Sequence, residues 1–143
     1  MIQYLPHNKI DPSRWDACVE RTPGGLPYGY SWWLNAVCRE WDGLVQDDYQ
    51  AVMPLPIGRK FGYAYIYQPY FTQQLGIFSE EKTDAIMTAA FLESIPSEFR
   101  YVRLHLNFGN PLPFGMRGFA SRKNYQLLLT SDPLVLAGNY LRG

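Results

Sequence analysis

The chain has 143 residues, 47% of them hydrophobic, which is the size and composition of one globular domain with a hydrophobic core. Thirteen basic residues balance thirteen acidic ones, so binding to nucleic acid would need a local basic patch, and the sequence shows none. No apolar run approaches the roughly 18 residues that span a bilayer. The amino terminus lacks the basic start and apolar stretch of a signal peptide, so we expect a cytoplasmic protein.

The first third of the sequence predicts a strand at residues 2–6 and two helices. Asp11-Pro12 is a capping residue followed by a proline, and it starts a helix that should run to about Arg21. Ser31 should cap the second helix, whose inner face at helical spacing is Leu34, Val37, Cys38 and Trp41. Cys18 and Cys38 fall on these helices and read as buried thiols rather than a disulfide.

The middle of the chain predicts antiparallel strands at 44–46, 49–57 and 63–67. Pro54 and Pro56 each lack a backbone donor, which indicates an edge strand or a bulge at that point.

After these strands, Ser79 should cap a third helix that ends at Pro96, with a buried stripe formed by Thr83, Met87, Ala90, Phe91 and Ile95. Residues 101–107 alternate as a strand, and 125–129 form a last strand. The pattern predicts a single domain of the α/β (α+β) class with a mixed, mostly antiparallel sheet and helices on both faces.

This element order resembles the acyl-CoA N-acyltransferase (GNAT) fold. The segment DDYQAVMPLPIGRKFGYAYIYQPYFTQQLGIFSE, residues 47–80, is more closely similar to the N-terminal half of FemAB-like proteins, the double-domain relatives that include aminoacyl transferases building peptidoglycan bridges. The resemblance implies a bacterial N-acyltransferase or aminoacyltransferase. It also implies that a second half carries the cofactor site, while this half helps to form the acceptor groove.

GNAT enzymes bind the CoA pyrophosphate on a glycine loop between a strand and a helix, where free backbone N–H groups attract an anion. The resemblance places Gln73, Gln74 and Gly76 in this role for acyl-CoA. The last position of this loop pattern is Phe78, where a small residue is needed so that phosphate can approach the backbone. Glu80 and Glu81 would also repel phosphate. The alternative interpretation is a plain strand-to-helix turn with Leu75 and Phe78 buried.

Arg103, His105 and Asn107 alternate on one face of the strand at 101–107, with Val102, Leu104 and Leu106 on the other. A base, a cation and an amide in one row suit acyl transfer, with His105 as the catalytic base and the Gly76 N–H as an oxyanion donor. The alternative is a half-exposed strand that displays polar residues to water.

Tyrosines and tryptophans supply candidate substrate contacts. The segment 28–33, which contains Tyr28, Tyr30 and two tryptophans, follows a double glycine and reads either as an aromatic lid or as a buried helix start. Tyr63, Tyr65 and Tyr67 share one strand face. We expect Tyr28, Tyr30, Tyr65, Tyr67, Arg103 and Asn107 to line the substrate groove.

The leading hypothesis is an N-acyltransferase-like domain that shapes the groove for a small-molecule, peptide or glycan acceptor. The chain alone is then inactive, and its partner is a second half-domain. The rival is a non-catalytic module that binds a peptide, a glycan or a protein, and a third hypothesis is a stand-alone GNAT homodimer. No Cys, His or carboxylate spacing indicates a metal site. The apolar segment 134–140 reads as the start of a further element, as expected of the first half of a longer protein.

Overall fold

The computed structural model describes residues 1–123, so the strand predicted at 125–129 and the apolar segment after it lie outside the described residues. Three α-helices form in this part of the chain: α1 (Pro12–Arg21), α2 (Ser31–Val37) and α3 (Ala85–Glu93). Five strands form: β1 (Ile2–Leu5), β2 (Trp41–Gln46), β3 (Ala51–Lys60), β4 (Tyr63–Ile66) and β5 (Phe78–Ser79). No helix among residues 1–123 is long and apolar enough to cross a lipid bilayer.

The sheet is mostly antiparallel, and it confirms the predicted mixed α+β class. Strands β1 to β4 form a meander in sequence order, and β5 also pairs antiparallel with β3. Strand β4 pairs with residues 57–60 of β3, and β5 pairs with residues 51–52. β4 and β5 therefore act as one strand beside β3, interrupted by an excursion over residues 67–77.

Residues 101–107 run parallel to this interrupted strand, although they form only two bridges, Ile66 to Val102 and Leu75 to Leu106. Helix α3 lies between the two parallel partners in the sequence, so this is the expected crossover connection. The predicted alternation is wrong at both ends of the segment. Val102 is 41% exposed, and Asn107, expected to point outward, is only 8% exposed. With few bridges, the segment is not constrained to alternate as a full strand does.

The core has two parts, one on each face of the sheet. Val45 and Val52 pack against α1 and α2 through Trp15, Cys18, Val19 and Leu34. The neighbouring side chains along β2 and β3 point to the opposite face of the sheet. Leu44, Met53 and Leu55 pack there with Phe91 of α3. This arrangement follows from the alternation of side chains along β2 and β3, and it places helices on both faces as expected.

Pro54 and Pro56 occupy a central strand, which corrects the prediction of an edge strand. The Ile57 N–H donates to Glu40 on the β2 side, and the Pro56 carbonyl accepts from Tyr67 on the opposite side. Successive residues of a strand direct their backbone groups to opposite sides. The N–H groups that Pro54 and Pro56 lack would therefore face the side away from β2. There β3 is paired only at 51–52 and 57–60, so both prolines fall in the gap between β5 and β4.

Helix α1 begins as predicted, because the Asp11 carboxylate accepts hydrogen bonds from the N–H groups of Ser13 and Arg14. Helix α2 is shorter than expected and ends at Val37, since Trp41 opens β2 and pairs with Pro56. Ser31 is not its cap. Its N–H and hydroxyl both donate to the carboxylate of Asp16, at 2.7 and 2.8 Å, so a residue of α1 fixes the start of α2.

Helix α3 begins six residues later than Ser79, and the predicted cap is wrong. Ser79 belongs to β5, where it pairs with Ala51. The cap is Asp84, whose Oδ1 accepts from the Met87 N–H at 2.7 Å. Residues 80–84 therefore form the connection from strand to helix, and Gly76 lies before a strand rather than before a helix.

Candidate functional site

The segment QQLGI (73–77) is held by the end of segment 101–107 and by the loop that follows it. Leu75 donates its N–H to the His105 carbonyl and accepts from the Asn107 N–H, both at 2.7 Å. The Gln74 side chain accepts from the Phe108 N–H at 3.2 Å. These bonds join the two segments at Gln74 and Leu75, and the side-chain oxygen of Gln74 has a structural contact.

Asn107 and Asn110 enclose the backbone of Ile77. The Ile77 N–H donates to Asn110 Oδ1 at 2.7 Å, and the Ile77 carbonyl accepts from the side-chain amides of both asparagines. Asn107 Oδ1 also accepts from the Gly109 N–H, which makes a compact Asx turn. We call these contacts the asparagine clamp. The donor next to Gly76, which a bound phosphate would use, is thus already occupied by a carboxamide oxygen.

Gly76 is required by this clamp. Its φ of +96° is a conformation that residues with a side chain rarely adopt, and an added Cβ would lie 2.2 Å from Asn110 Oδ1. Leu75 and Phe78 on either side are fully buried, as the turn interpretation expected. That interpretation is correct about burial and wrong about the helix, because a strand follows.

A cavity of about 330 Å³ lies beside the clamp and the connection from β5 to α3. Three segments line it: 22–26 after α1, 77–83, and the loop 107–110. Its wall is mostly apolar, with Leu26, Ile77, Phe78 and Phe108 among its members. This volume is at the lower end of the range of about 300–1,000 Å³ that is typical of small-molecule sites.

Four polar side chains of the cavity come from the strand-to-helix connection. Ser79 and Thr83 are 4% and 7% exposed, whereas Glu81 and Lys82 are exposed at the rim. The sequence indicates Glu81 only as a repulsive charge and places Ser79 and Thr83 in the third helix. It gives no site role to Lys82, Phe108 or Asn110. The segment NFGN carried the available signal, since Asn and Gly at this spacing favour tight turns.

The predicted site residues are distributed over three places. Gln74, Gly76 and Asn107 lie at the clamp, and Asn107 also lines the cavity. His105 is half-buried, and among residues 1–123 its backbone rather than its ring makes hydrogen bonds, with Gln68 and Leu75. Arg103 and Gln73 are exposed. Arg103, His105 and Asn107 therefore differ in burial and do not form the even polar row expected of them.

The predicted groove tyrosines lie in two aromatic groups away from the cavity lining. Tyr65 and Tyr67 are half-buried neighbours with ring centroids 6.1 Å apart, and Tyr101 stands beside Tyr65. Tyr28 and Tyr30 are half-buried and pack against Trp33 and Trp32, respectively. The second group is part of a helix start that is anchored in the fold, since Leu34 is fully buried.

Several aromatic rings remain on the outside. Trp33 Nε1 donates to Thr72 Oγ1 at 3.0 Å and joins α2 to the loop of residues 70–72. Trp32 precedes Trp33 in the chain, and Tyr70 and Phe71 precede Thr72; their side chains are 57%, 86% and 88% exposed, respectively. We call these three residues the aromatic surface. Phe71 has a φ of +61°, so the loop displays its ring at a cost in backbone strain.

The described residues show no cluster of three or more His, Cys, Asp or Glu side chains placed to hold a metal ion. Burial raises the pKa of the Cys18 thiol to about 11 and that of the Cys38 thiol to about 12. Both thiols are therefore protonated at neutral pH and unsuited to nucleophilic attack. Comparison of the chain with protein-family models, curated proteins and solved structures finds no match.

Proposed function

We propose that this chain is the acceptor-binding domain of an N-acyl or aminoacyl transferase of the FemAB or GNAT type. A second domain or chain holds the acyl donor. The reaction class is attack of an amine on a thioester or an aminoacyl ester, which needs an acceptor site and a separate site for the activated acyl group. The element order and the crossover through α3 to a parallel segment support the frame of such a transferase.

One observation carries the division between acceptor and donor. The cavity borders the glycine loop where the resemblance places the CoA pyrophosphate, and the connection from β5 to α3 also lines it. That connection reads EEKTD and contains no glycine. Asp84 already takes the Met87 N–H at the start of α3, and Asn110 takes the Ile77 N–H. The available cavity is apolar with few polar groups, which suits an acceptor better than a phosphate.

His105 stays the candidate base within this proposal, and Gln73 is the residue to test for a donor site. Its side chain is exposed, so replacing it leaves the core intact. Gly76 is unsuitable for such a test, because any side chain there meets Asn110.

The experiment is a thermal unfolding series with acetyl-CoA at a concentration that would saturate a typical site. A ligand present at 100 times its Kd adds about 2.7 kcal/mol to stability, which is a shift of several degrees in Tm. We expect no shift for the 143-residue chain. A shift of that size which disappears in Gln73→Ala, but not in the exposed control Gln3→Ala, would place the donor here and contradict the proposal.

The aromatic surface favours a second candidate, a non-catalytic module that binds a peptide or a glycan. Exposed rings stack well on both ligand types, and a strained, outward-facing Phe71 serves no internal packing. Binding to a peptide or oligosaccharide array that is lost in Trp32→Ala and retained after a change in the cavity would favour this candidate. Binding that is retained in Trp32→Ala and lost after a change in the cavity would favour the acceptor site.

A further inference from the structure

Two hydroxyl groups in the cavity have no hydrogen-bond partner among residues 1–123. Ser79 and Thr83 are more than nine-tenths buried, and both line the cavity. Every side-chain nitrogen or oxygen in this part of the chain that is fully closed off from solvent has a partner. The two hydroxyls must therefore reach open space, and the space they border is the cavity. A ligand there gains hydrogen bonds that residues 1–123 do not make.

The rim of the cavity carries one negative and one positive side chain. Glu81 and Lys82 are both exposed, and neither has an ion pair with another described residue. The preceding Glu80 differs, since its carboxylate is paired with Arg21 at 3.0 Å. Asp84 is committed to the start of α3. The rim thus offers a balanced pair of charges above an apolar interior.

We propose that the cavity binds an α-amino acid with an apolar side chain. The apolar side chain fills the interior, and the hydroxyls of Ser79 and Thr83 bond to the polar head. The ammonium group pairs with Glu81 and the carboxylate with Lys82. Phe108, a cavity-lining ring that is 56% exposed, favours an aromatic side chain through ring packing. The binding of an amino acid does not depend on the proposed function. Only the role of the ligand rests on it, since its amine would then be the acyl acceptor.

A cavity of about 330 Å³ is large enough for one amino acid. An anionic cofactor fits less well, because Glu81 meets it at the rim. A simple amine satisfies Glu81 and leaves Lys82 unpaired. A zwitterion is the smallest ligand that uses both charges and both hydroxyls.

The test is calorimetric titration of the 143-residue chain with L-phenylalanine and two derivatives. L-phenylalanine amide lacks the carboxylate, and N-acetyl-L-phenylalanine lacks the ammonium group. We expect L-phenylalanine to bind, and each derivative to bind about tenfold more weakly, which corresponds to about 1.4 kcal/mol. Equal binding of all three, or no binding of phenylalanine, leucine or tryptophan at about 10 mM, overturns the inference.

Variants at the rim assign each charge. Glu81→Gln should weaken binding of L-phenylalanine about tenfold and leave the N-acetyl derivative unchanged, because that derivative has no ammonium group to lose. Lys82→Gln should weaken L-phenylalanine and leave the amide unchanged. Glu20→Gln, an exposed change on α1, is the matched control and should alter none of the affinities. Insensitivity of all three ligands to both rim changes contradicts the assignment.

Thr83→Val tests the hydroxyl while keeping the shape of the side chain, and we expect a several-fold loss of affinity with an unchanged Tm. The rim variants decide the matter if this buried change unfolds the chain. The two proposals fail separately. Phenylalanine binding with the expected pattern, together with an acetyl-CoA site at Gln73, refutes the proposed function alone. The absence of an acetyl-CoA shift, together with no affinity for phenylalanine, leucine or tryptophan, refutes the ligand class alone.

Discussion

At the scale of single residues, Asn110 has more influence than its place in a surface loop suggests. It is 8% exposed and supplies both a donor and an acceptor to Ile77. Asn110→Ala leaves the buried N–H of Ile77 without its partner and the Ile77 carbonyl with only the bond from Asn107. We expect the free energy of unfolding to fall by about 1–3 kcal/mol. Urea denaturation measures this, with exposed Asn8→Ala as the control expected to be neutral. Equal effects of the two changes would contradict the clamp.

The two buried thiols predict how stability depends on alkaline pH. Folding raises the pKa of Cys18 to about 11 and of Cys38 to about 12, from an ordinary value of 9.0, because burial disfavours the thiolate. The unfolded chain therefore releases these protons first. Their contribution to stability is complete below pH 9 and is lost as pH rises through 11 to 12. Cys38→Ala should flatten the fall of Tm between pH 9 and 12, and an unchanged slope would refute this assignment.

At the scale of elements, the turn between β3 and β4 is built on an unusual residue. Phe61 and Gly62 both have positive φ, 51° and 80°, which is the type I′ geometry of a two-residue hairpin. Phe61 is 88% exposed and gains little packing in return. Because Asn tolerates this conformation far better, we expect Phe61→Asn to raise the free energy of unfolding by about 1 kcal/mol. Phe114→Asn, at a fully exposed ring, is the comparison and should give no gain.

The start of α3 gives a second test at this scale. Asp84→Ala removes the carboxylate that caps the Met87 N–H and should cost about 0.5–2 kcal/mol of stability. Ser79→Ala removes no cap and should cost less, as measured by thermal unfolding of both variants. A larger loss in Ser79→Ala would indicate that the helix begins at Ser79 after all.

Local chemistry explains which helix boundaries could be predicted. Asp11-Pro12 fixes the start of α1 because the cap and the first turn lie within four residues. Ser79 resembled a cap equally well, but its backbone pairs with Ala51, which is 28 positions earlier in the chain. Sequence patterns near Ser79 carry no information about that partner. A two-residue strand such as β5 is also too short to show alternation.

The candidate site could be predicted from the sequence only at positions where residue type alone determines the local structure. Gly76 was predicted to lie in a loop, and it does, with a φ of +96°. The cavity depends on three segments that are distant in sequence, so its hydroxyls and rim charges could not be read from any one of them. His105 and Asn107 were grouped by alternation, which fails because segment 101–107 touches the sheet at only two bridges.

At the scale of the whole molecule, the sheet separates the core into two halves that should behave independently. Leu34 belongs to the half under α1 and α2, and Phe91 to the half under α3; both are fully buried. We expect Leu34→Ala to cost about 2–5 kcal/mol and Phe91→Ala about 3–5 kcal/mol. The double variant should lose the sum, because Leu34 and Phe91 belong to separate clusters on opposite faces of the sheet. Urea denaturation checks this, and a clearly smaller combined loss would show that the halves are coupled.

The interrupted strand formed by β4 and β5 also determines the order in which the chain assembles. The hairpins β2–β3 and β3–β4 close over short turns, so they can form early at a small entropic cost. The parallel alignment of residues 101–107 must wait for the excursion at 67–77 and for α3, since it joins positions about 30 or more apart in sequence. Amide protons of β2 and β3 should then exchange most slowly with solvent, and those of the clamp should open first. The cavity beside the clamp would be the last part of the domain to fold and the first part to unfold.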